Sequence, residues 1–328
     1  MALVTVAISA CLLAEGPVLS AQQETEDTPS PLPTATTLSS IPLDLTRRDA
    51  LEQAIKARDY TRAESALAEE IERQPKSSQL LAFLGNVLFL DGKYLDSAIA
   101  MKKADALVPL DNRNRFVLAM AYVTLQHADW ARPELEELAH SDPRNALYPY
   151  WLSRLDYADM HLADAVYHAR KAIHLDPTFM KAYDNLGLYY EGLGKTDEAM
   201  NAYEQAVRLN REQGLHSPWP SMNLAALLVK LDRQHEAAAL LKESLNEDPG
   251  FPKAHFRLGL LLEKQKNYPE AIAELKQAAT FDPSYPEPHY ILARIYRLLG
   301  DLKSAESAFR TFQALRDQEK KKAVHRSH

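Results

Sequence analysis

Between Met180 and Gln213 the chain carries two helical stripes separated by a short polar break. Tyr183, Leu186, Gly187 and Tyr190 fall at i, i+3, i+4 and i+7, which predicts one amphipathic helix. Gly192, Gly194, Lys195 and Thr196 interrupt it, and Ala199, Tyr203 and Ala206 mark a second helix. The same pattern recurs with a period of 34 residues on both sides. Such a period predicts helical hairpins that stack, because one hairpin alone leaves its apolar face bare.

Prolines punctuate the pattern. Pro75, Pro109, Pro143 and Pro177 are 34 residues apart, as are Pro249 and Pro283. Each is expected to stop a helix, since proline lacks the N–H and clashes with a continuing turn. Asp142, Asp176, Asp248 and Asp282 precede four of them and favour a turn there. Counting from these marks gives eight units: 44–77, 78–111, 112–145, 146–179, 180–213, 218–251, 252–285 and 286–319. The eighth residue of each is Leu51, Gly85, Ala119, Ser153, Gly187, Ala225, Gly259 and Ala293, small in all but the first. The twentieth is Ala63, Ser97, Ala131, Ala165, Ala199, Ala237, Ala271 and Ala305, always small. Two helices of a hairpin approach closely only where the crossing side chains are small, with the leucines Leu84, Leu118, Leu152, Leu186, Leu224, Leu258 and Leu292 filling the space beside them.

The spacing of Tyr183, Leu186, Gly187, Tyr190, Ala199, Tyr203 and Ala206 resembles the tetratricopeptide repeat. Leu258, Gly259, Ala271, Ala278 and Pro283 repeat the likeness in 252–285. The first unit departs at Leu51 and Glu70 and the last at Phe312 and Asp317, as end units of a solenoid do because each exposes one face. The resemblance implies an all-α, right-handed superhelical solenoid of eight helix-turn-helix repeats over 44–319. It also implies a non-enzymatic scaffold that holds a protein or extended peptide in a concave groove.

One irregularity is internal. Gly214-Leu215-His216-Ser217 shift the register by four residues, and Arg211 stands where a proline is expected. The preceding helix is therefore expected to run on to Gln213 and end near Gly214. Ser217 and Pro218 read as the N-cap and first residue of the next helix. The slip reads as a tolerated loop insertion or as a local change of pitch that widens a groove.

The flanks differ from the repeats. Residues 2–14, ALVTVAISACLLA, are apolar but too short to span a bilayer, and Val18-Leu19-Ser20-Ala21 offers a cleavage point. Residues 1–21 are read as an export signal, although no Lys or Arg precedes the apolar run. Residues 22–43 are acidic and proline-rich, the composition of a disordered spacer. Ile8-Ser9-Ala10-Cys11 resembles a bacterial lipobox, which would make Cys11 a lipid-modified N-terminus. Expected locations are periplasmic or extracellular or, with Cys11 lipidated, membrane-anchored, with no membrane span in the mature chain. Residues 320–328 form a short basic tail.

Composition narrows the chemistry. A formal net charge of −7 argues against nucleic acid as a partner. Cys11 is the one cysteine, so no disulfide staples the repeats. No phosphate-cradling glycine loop occurs, and His161, His168 and His174 are not at the i, i+3 or i, i+4 spacing of paired metal ligands. Glu69-Glu70 and Glu136-Glu137 read as charge on solvated faces, and Tyr150, Trp151 and Tyr157 as inter-helix packing. No catalytic residue, metal or cofactor is expected.

First helices of successive units line the concave side of such arrays. Their polar residues are Lys181, Asp184 and Asn185 in 180–213, Asn223 in 218–251, and Lys253 and Arg257 in 252–285. Asn223, Lys253 and Arg257 resemble three of the five places of the carboxylate clamp found in some tetratricopeptide proteins. Asp184 and Leu188 depart from the other two, and an ionised Asp184 would repel a terminal carboxylate. The expected site is looser. Lys181 and Asn185 open the row, Asn185 and Asn223 would bond a peptide backbone, Lys253 and Arg257 would pair with an acid group on it, and Trp219 beside the register slip would make a contact. Alternatives are a lipid-anchored assembly factor of the bacterial envelope and a substrate-recruiting subunit of a multi-chain enzyme.

Overall fold

The computed structural model describes residues 43–326, with side chains through Lys321. The readings of residues 1–42 as signal, spacer and lipidated Cys11 lie outside the described residues. Leu43, assigned to the spacer from sequence, packs against the first hydrophobic cluster.

Sixteen α-helices, and no strand, occur among the described residues. They form eight hairpins: α1 (Leu45–Lys56) with α2 (Tyr60–Arg73), α3 (Ser78–Leu90) with α4 (Tyr94–Leu107), α5 (Asn112–Thr124) with α6 (Ala128–Ser141), α7 (Leu147–Ala158) with α8 (Leu162–Leu175), α9 (Met180–Gly192) with α10 (Thr196–Gln213), α11 (Trp219–Lys230) with α12 (Gln234–Glu247), α13 (Pro252–Lys264) with α14 (Tyr268–Phe281), and α15 (Glu287–Leu298) with α16 (Leu302–Arg326). Contacts divide the chain at Asp176/Pro177 into two compact units. Within the first, each second helix packs on the next first helix at α2–α3, α4–α5 and α6–α7. Within the second the same holds at α10–α11, α12–α13 and α14–α15. The result in each unit is a stack of helical hairpins.

The hairpin crossing has a specific steric cause. A Cβ added at Gly187 would lie 2.5 Å from the Tyr203 ring, at Gly85 2.8 Å from Met101 Cγ, and at Gly259 2.7 Å from Leu275 Cγ. The eighth residue of a unit thus makes room for the twenty-fourth. All the residues at the twentieth place are buried, Ala63 to Ala305. Ser97 is accommodated there because its Oγ donates to the Gly85 carbonyl at 2.7 Å.

The turn inside each hairpin is equally uniform. Its fifteenth residue adopts a left-handed backbone in all eight units, from φ 56° at Arg58 to φ 80° at Gly300. Gly92, Gly194 and Gly300 do this without a steric penalty, whereas Arg58, Gln126, Met160, Asp232 and Lys266 do it as L-residues. Between hairpins, α2, α4, α6, α8, α12 and α14 all end two residues before a proline.

The register slip takes the expected form on its N-terminal side. Helix α10 runs for 18 residues, against 14 in α12 and α14, and Gly214 closes it in the left-handed conformation at φ 59°. On the other side the structure differs. Helix α11 begins at Trp219, its N-cap is Pro218, and no side chain caps it. Ser217 is instead held by the buried Asn210, whose Nδ2 donates to the Ser217 carbonyl at 2.9 Å while its Oδ1 accepts from the Ser217 N–H at 3.1 Å. A second expectation is also corrected. Glu70 does not face solvent: it is buried and accepts from Arg47 at 2.8 Å, Arg73 at 3.0 Å and Gln74 at 2.6 Å. The bond from Gln74 is the leading reason its carboxyl is held below the usual range. Tyr150 and Trp151 are core, as expected of packing aromatics, and Tyr157 is half-buried. The basic tail continues α16 as helix to Arg326.

A candidate groove in the second unit

The first helices α9, α11, α13 and α15 lie in sequence beside one another, α9 on α11, α11 on α13 and α13 on α15. All six sequence-predicted site residues belong to three of them. Lys181 and Asn185 are on α9, Trp219 and Asn223 on α11, and Lys253 and Arg257 on α13. Lys181, Trp219, Asn223, Lys253 and Arg257 are half-buried, while Asn185 is buried.

Two contacts join these helices. Asn223 Nδ2 donates to both carboxylate oxygens of Asp184, each at 3.0 Å, and so links α11 to α9. The Nζ of Lys253 stands 5.0 Å from the centroid of the Trp219 ring, a cation–π contact linking α13 to α11. Trp219 is held from behind by Phe251, edge to face at 4.9 Å. Sequence reasoning did not single out Phe251. Its signal was the Phe251-Pro252 pair that opens α13, directly after the turn residues Pro249 and Gly250.

Asp184 has a different character from the one its sequence position suggested. It is buried, and desolvation pushes its carboxyl up to about 7, with Asn223 opposing and the nearby Glu191 adding to the shift. At neutral pH it therefore exists in part as a neutral acid. The repulsion of a terminal carboxylate expected from a fully ionised Asp184 is weakened accordingly.

Most other charges at the ends of these helices are paired. Lys230 donates to Glu191 at 2.7 Å, and Glu191 also accepts from the Tyr203 hydroxyl at 2.7 Å. Lys264 pairs with Asp232 at 2.7 Å, and Arg294 with Glu263. Next to Arg257, His255 is buried on the other side of α13 and uses both ring nitrogens. Nδ1 lies 2.7 Å from Glu274 and Nε2 2.9 Å from the Pro249 carbonyl. Two acceptors require two N–H donors, so the geometry suits the imidazolium. Burial opposes its charge, but Glu274, the Pro249 carbonyl and Asp248 together raise the pKa.

Among the described residues no group of His, Cys, Asp or Glu is arranged to hold a metal ion, and no helix is long and apolar enough to cross a membrane.

Eight helical hairpins of 34-residue period, stacked within each unit and with small residues at the crossings, define a helical-repeat protein. Three family models, each described as tetratricopeptide repeat, match residues 50–112 and 222–286, 181–213, and 262–321, and the chain belongs to this family. No curated protein matches it. Solved structures with the same fold include the pilus biogenesis factor PilW, at TM-score 0.56 and 21% identity over 62% of this chain and 92% of that one. The Pseudomonas aeruginosa PilF structure matches at TM-score 0.55 and 20% identity over 68% and 99%. A chain of the APC/C hetero-tetramer Cut9-Hcn1 matches at TM-score 0.60 and 14% identity over 84% of this chain and 54% of that one. At these identities the likeness is one of fold.

Proposed function

We propose that the chain is a non-enzymatic scaffold that binds a protein or extended peptide along α9, α11 and α13. The observation that carries this reading is the pair of inter-helix contacts, Asn223 on Asp184 and Lys253 on Trp219, which ties three successive first helices together through polar and aromatic side chains. Because the Asn223 amide donates to Asp184, it offers a partner its Oδ1 acceptor, suited to a peptide N–H. Lys253 and Arg257 supply positive charge for an acidic group, and Trp219 a flat apolar contact. Lys181 and the buried Asn185 form the α9 end.

The test is affinity capture from native extract with the wild-type chain and with Asn223→Ala, Lys253→Ala and Arg257→Ala combined. Specific partners should be lost from the triple variant while its helical circular-dichroism signal is unchanged. Equal capture by both would remove the site.

A second reading is favoured by the Ile8-Ser9-Ala10-Cys11 string together with the fold shared with the pilus factor PilW: an exported, lipid-anchored envelope assembly factor. Mass spectrometry of the mature N-terminus decides it. Diacylglyceryl-modified Cys11 supports it, and an N-terminus near Ala21 or Gln22 excludes the anchor.

A further inference from the structure

The twenty-fourth residue of a unit lies over the eighth residue of its own first helix, as Tyr203 does on Gly187 and Leu275 on Gly259, and joins the cluster that the next first helix completes. Leu67, Met101, Leu135, Tyr203, Leu241 and Leu275 occupy this place and are at most 1% exposed. Leu241 of α12 clusters with Ala254, Leu258 and Leu261 of α13, and Leu275 of α14 with Ile291, Leu292 and Ile295 of α15. On α16 the same place holds Phe309, which is 40% exposed. Leu302, seven residues earlier on the same face of α16, is 69% exposed, and Leu298 and Leu299 at the end of α15 and the turn after it are 64% and 53% exposed. Phe309 packs at 6.0 Å on Phe312, which in turn lies 5.3 Å from Tyr290, so the ring is backed by a formed core on one side only. Phe309 and Leu302, seven residues apart on one face of α16, leave an apolar stripe of the kind that marks an association surface.

The opposite end of the repeat series does not match it. The face by which α13 meets α12 is Ala254, Leu258 and Leu261. The corresponding places on α1 hold Thr46, Ala50 and Gln53, with Thr46 and Gln53 polar and exposed. Head-to-tail stacking of copies would therefore cover Phe309 with polar groups. A two-fold arrangement avoids this, because each copy offers the other the same apolar patch. The flanking charges fit that arrangement. Glu306 and Arg310 are 66% and 75% exposed and form an i,i+4 pair within α16. If two α16 helices cross antiparallel with the axis at Phe309, Glu306 of one copy falls beside Arg310 of the other. They are then about 3 Å apart along the helix axis, two residues of rise, on the same flank. An exposed intrahelical pair contributes little, so exchanging it across the axis costs little.

We propose that this chain associates with a second copy of itself, tail to tail, through α16. Phe309 forms the buried centre of the contact, Leu302 extends it along the same face of α16, and Glu306 and Arg310 cross-pair at its rim.

Sedimentation equilibrium on the full chain tests this. A monomer–dimer equilibrium is expected, abolished by Phe309→Glu with an unchanged circular-dichroism melt. Glu306→Arg alone and Arg310→Glu alone should each weaken dimerisation by about tenfold, since each places like charges across the axis. The combined E306R/R310E variant should restore it, and so should an equimolar mixture of E306R and R310E chains, in which opposite charges meet only across the axis and not within either helix. A chain that is monomeric at every concentration overturns the proposal, whether residues 1–42 or a different protein covers the patch. So does a dimer that survives Phe309→Glu, or single-charge defects that the double exchange does not repair.

Discussion

Gly187 and Gly194 of the repeat at 180–213 do different work, and substitution separates them. Gly187 lies under the Tyr203 ring, where a Cβ would come within 2.5 Å, while its backbone is ordinary helix. Gly194 has nothing within 4 Å of a prospective Cβ, but its φ is +71°. Gly187→Ala is therefore an overpacking substitution that displaces a buried tyrosine and costs about 1–3 kcal/mol. Gly194→Ala is a purely backbone substitution costing about 1 kcal/mol. Urea denaturation reads both. A matching Tyr203→Leu should recover part of the Gly187→Ala loss and none of the Gly194→Ala loss. The five L-residues at the equivalent of Gly194 show that the left-handed turn is imposed by the hairpin and only eased by glycine.

At the level of elements, the hairpins were legible in the sequence because their causes are local. Helical period, small residues at the eighth and twentieth places and proline stops all repeat within one unit. What the sequence concealed depends on residues distant along the chain or on one unrepeated contact. Asp184 reads as a groove residue until Asn223, 39 positions later, is seen to cover it. Glu70 reads as solvated until Arg47 reaches it across the first hairpin. Ser217 before Pro218 has the form of an N-cap, but Asn210 takes both its backbone groups, and α11 starts one residue later. Asn210 thus sets the geometry of the register slip by joining the end of α10 to the start of α11. Asn210→Ala removes two hydrogen bonds at a site where Asn210 is 2% exposed, and a loss of about 1–3 kcal/mol is expected. Gly214-Leu215-His216-Ser217 should also become protease-sensitive, while Arg208→Ala, on the exposed face of the same helix, changes neither.

For the molecule as a whole, the buried ionisable groups predict an unusual dependence of stability on pH. Burial raises the pKa of Asp184 in the folded chain to about 7, against 3.8 for an ordinary aspartate. The unfolded chain gives up this proton near pH 4 while the folded chain retains it, so the acid form stabilises fully below about pH 4 and progressively less up to about pH 7. Converted directly, the shift is on the order of 4 kcal/mol. His255 acts with the same sign, because its folded pKa is raised. Its contribution is complete below the unfolded value of about 6.5 and is lost as pH rises through the folded one. Opposing both are carboxyls held below their usual range. Burial works against the charge of Asp156, but bonds from His168 and Arg132 outweigh it. Asp105 behaves likewise through the Leu110 N–H and Lys102. Their contribution is present above the unfolded value of about 3.9 and lost as pH falls. The two limbs place maximal stability near pH 5, on the acid side of neutrality, with a decline toward pH 8. Asp184→Asn keeps an acceptor for Asn223 but cannot ionise, so it should melt like wild type near pH 4 and above it at pH 8. Thermal melts followed by circular dichroism from pH 3 to 9 measure this directly. A wild-type midpoint that is flat from pH 5 to 8, or a variant that declines as steeply as wild type, would show that Asp184 is solvated and ionised in the folded chain. The Asn223 contact would then be an ordinary surface hydrogen bond and not the closure of a buried acid between two repeats.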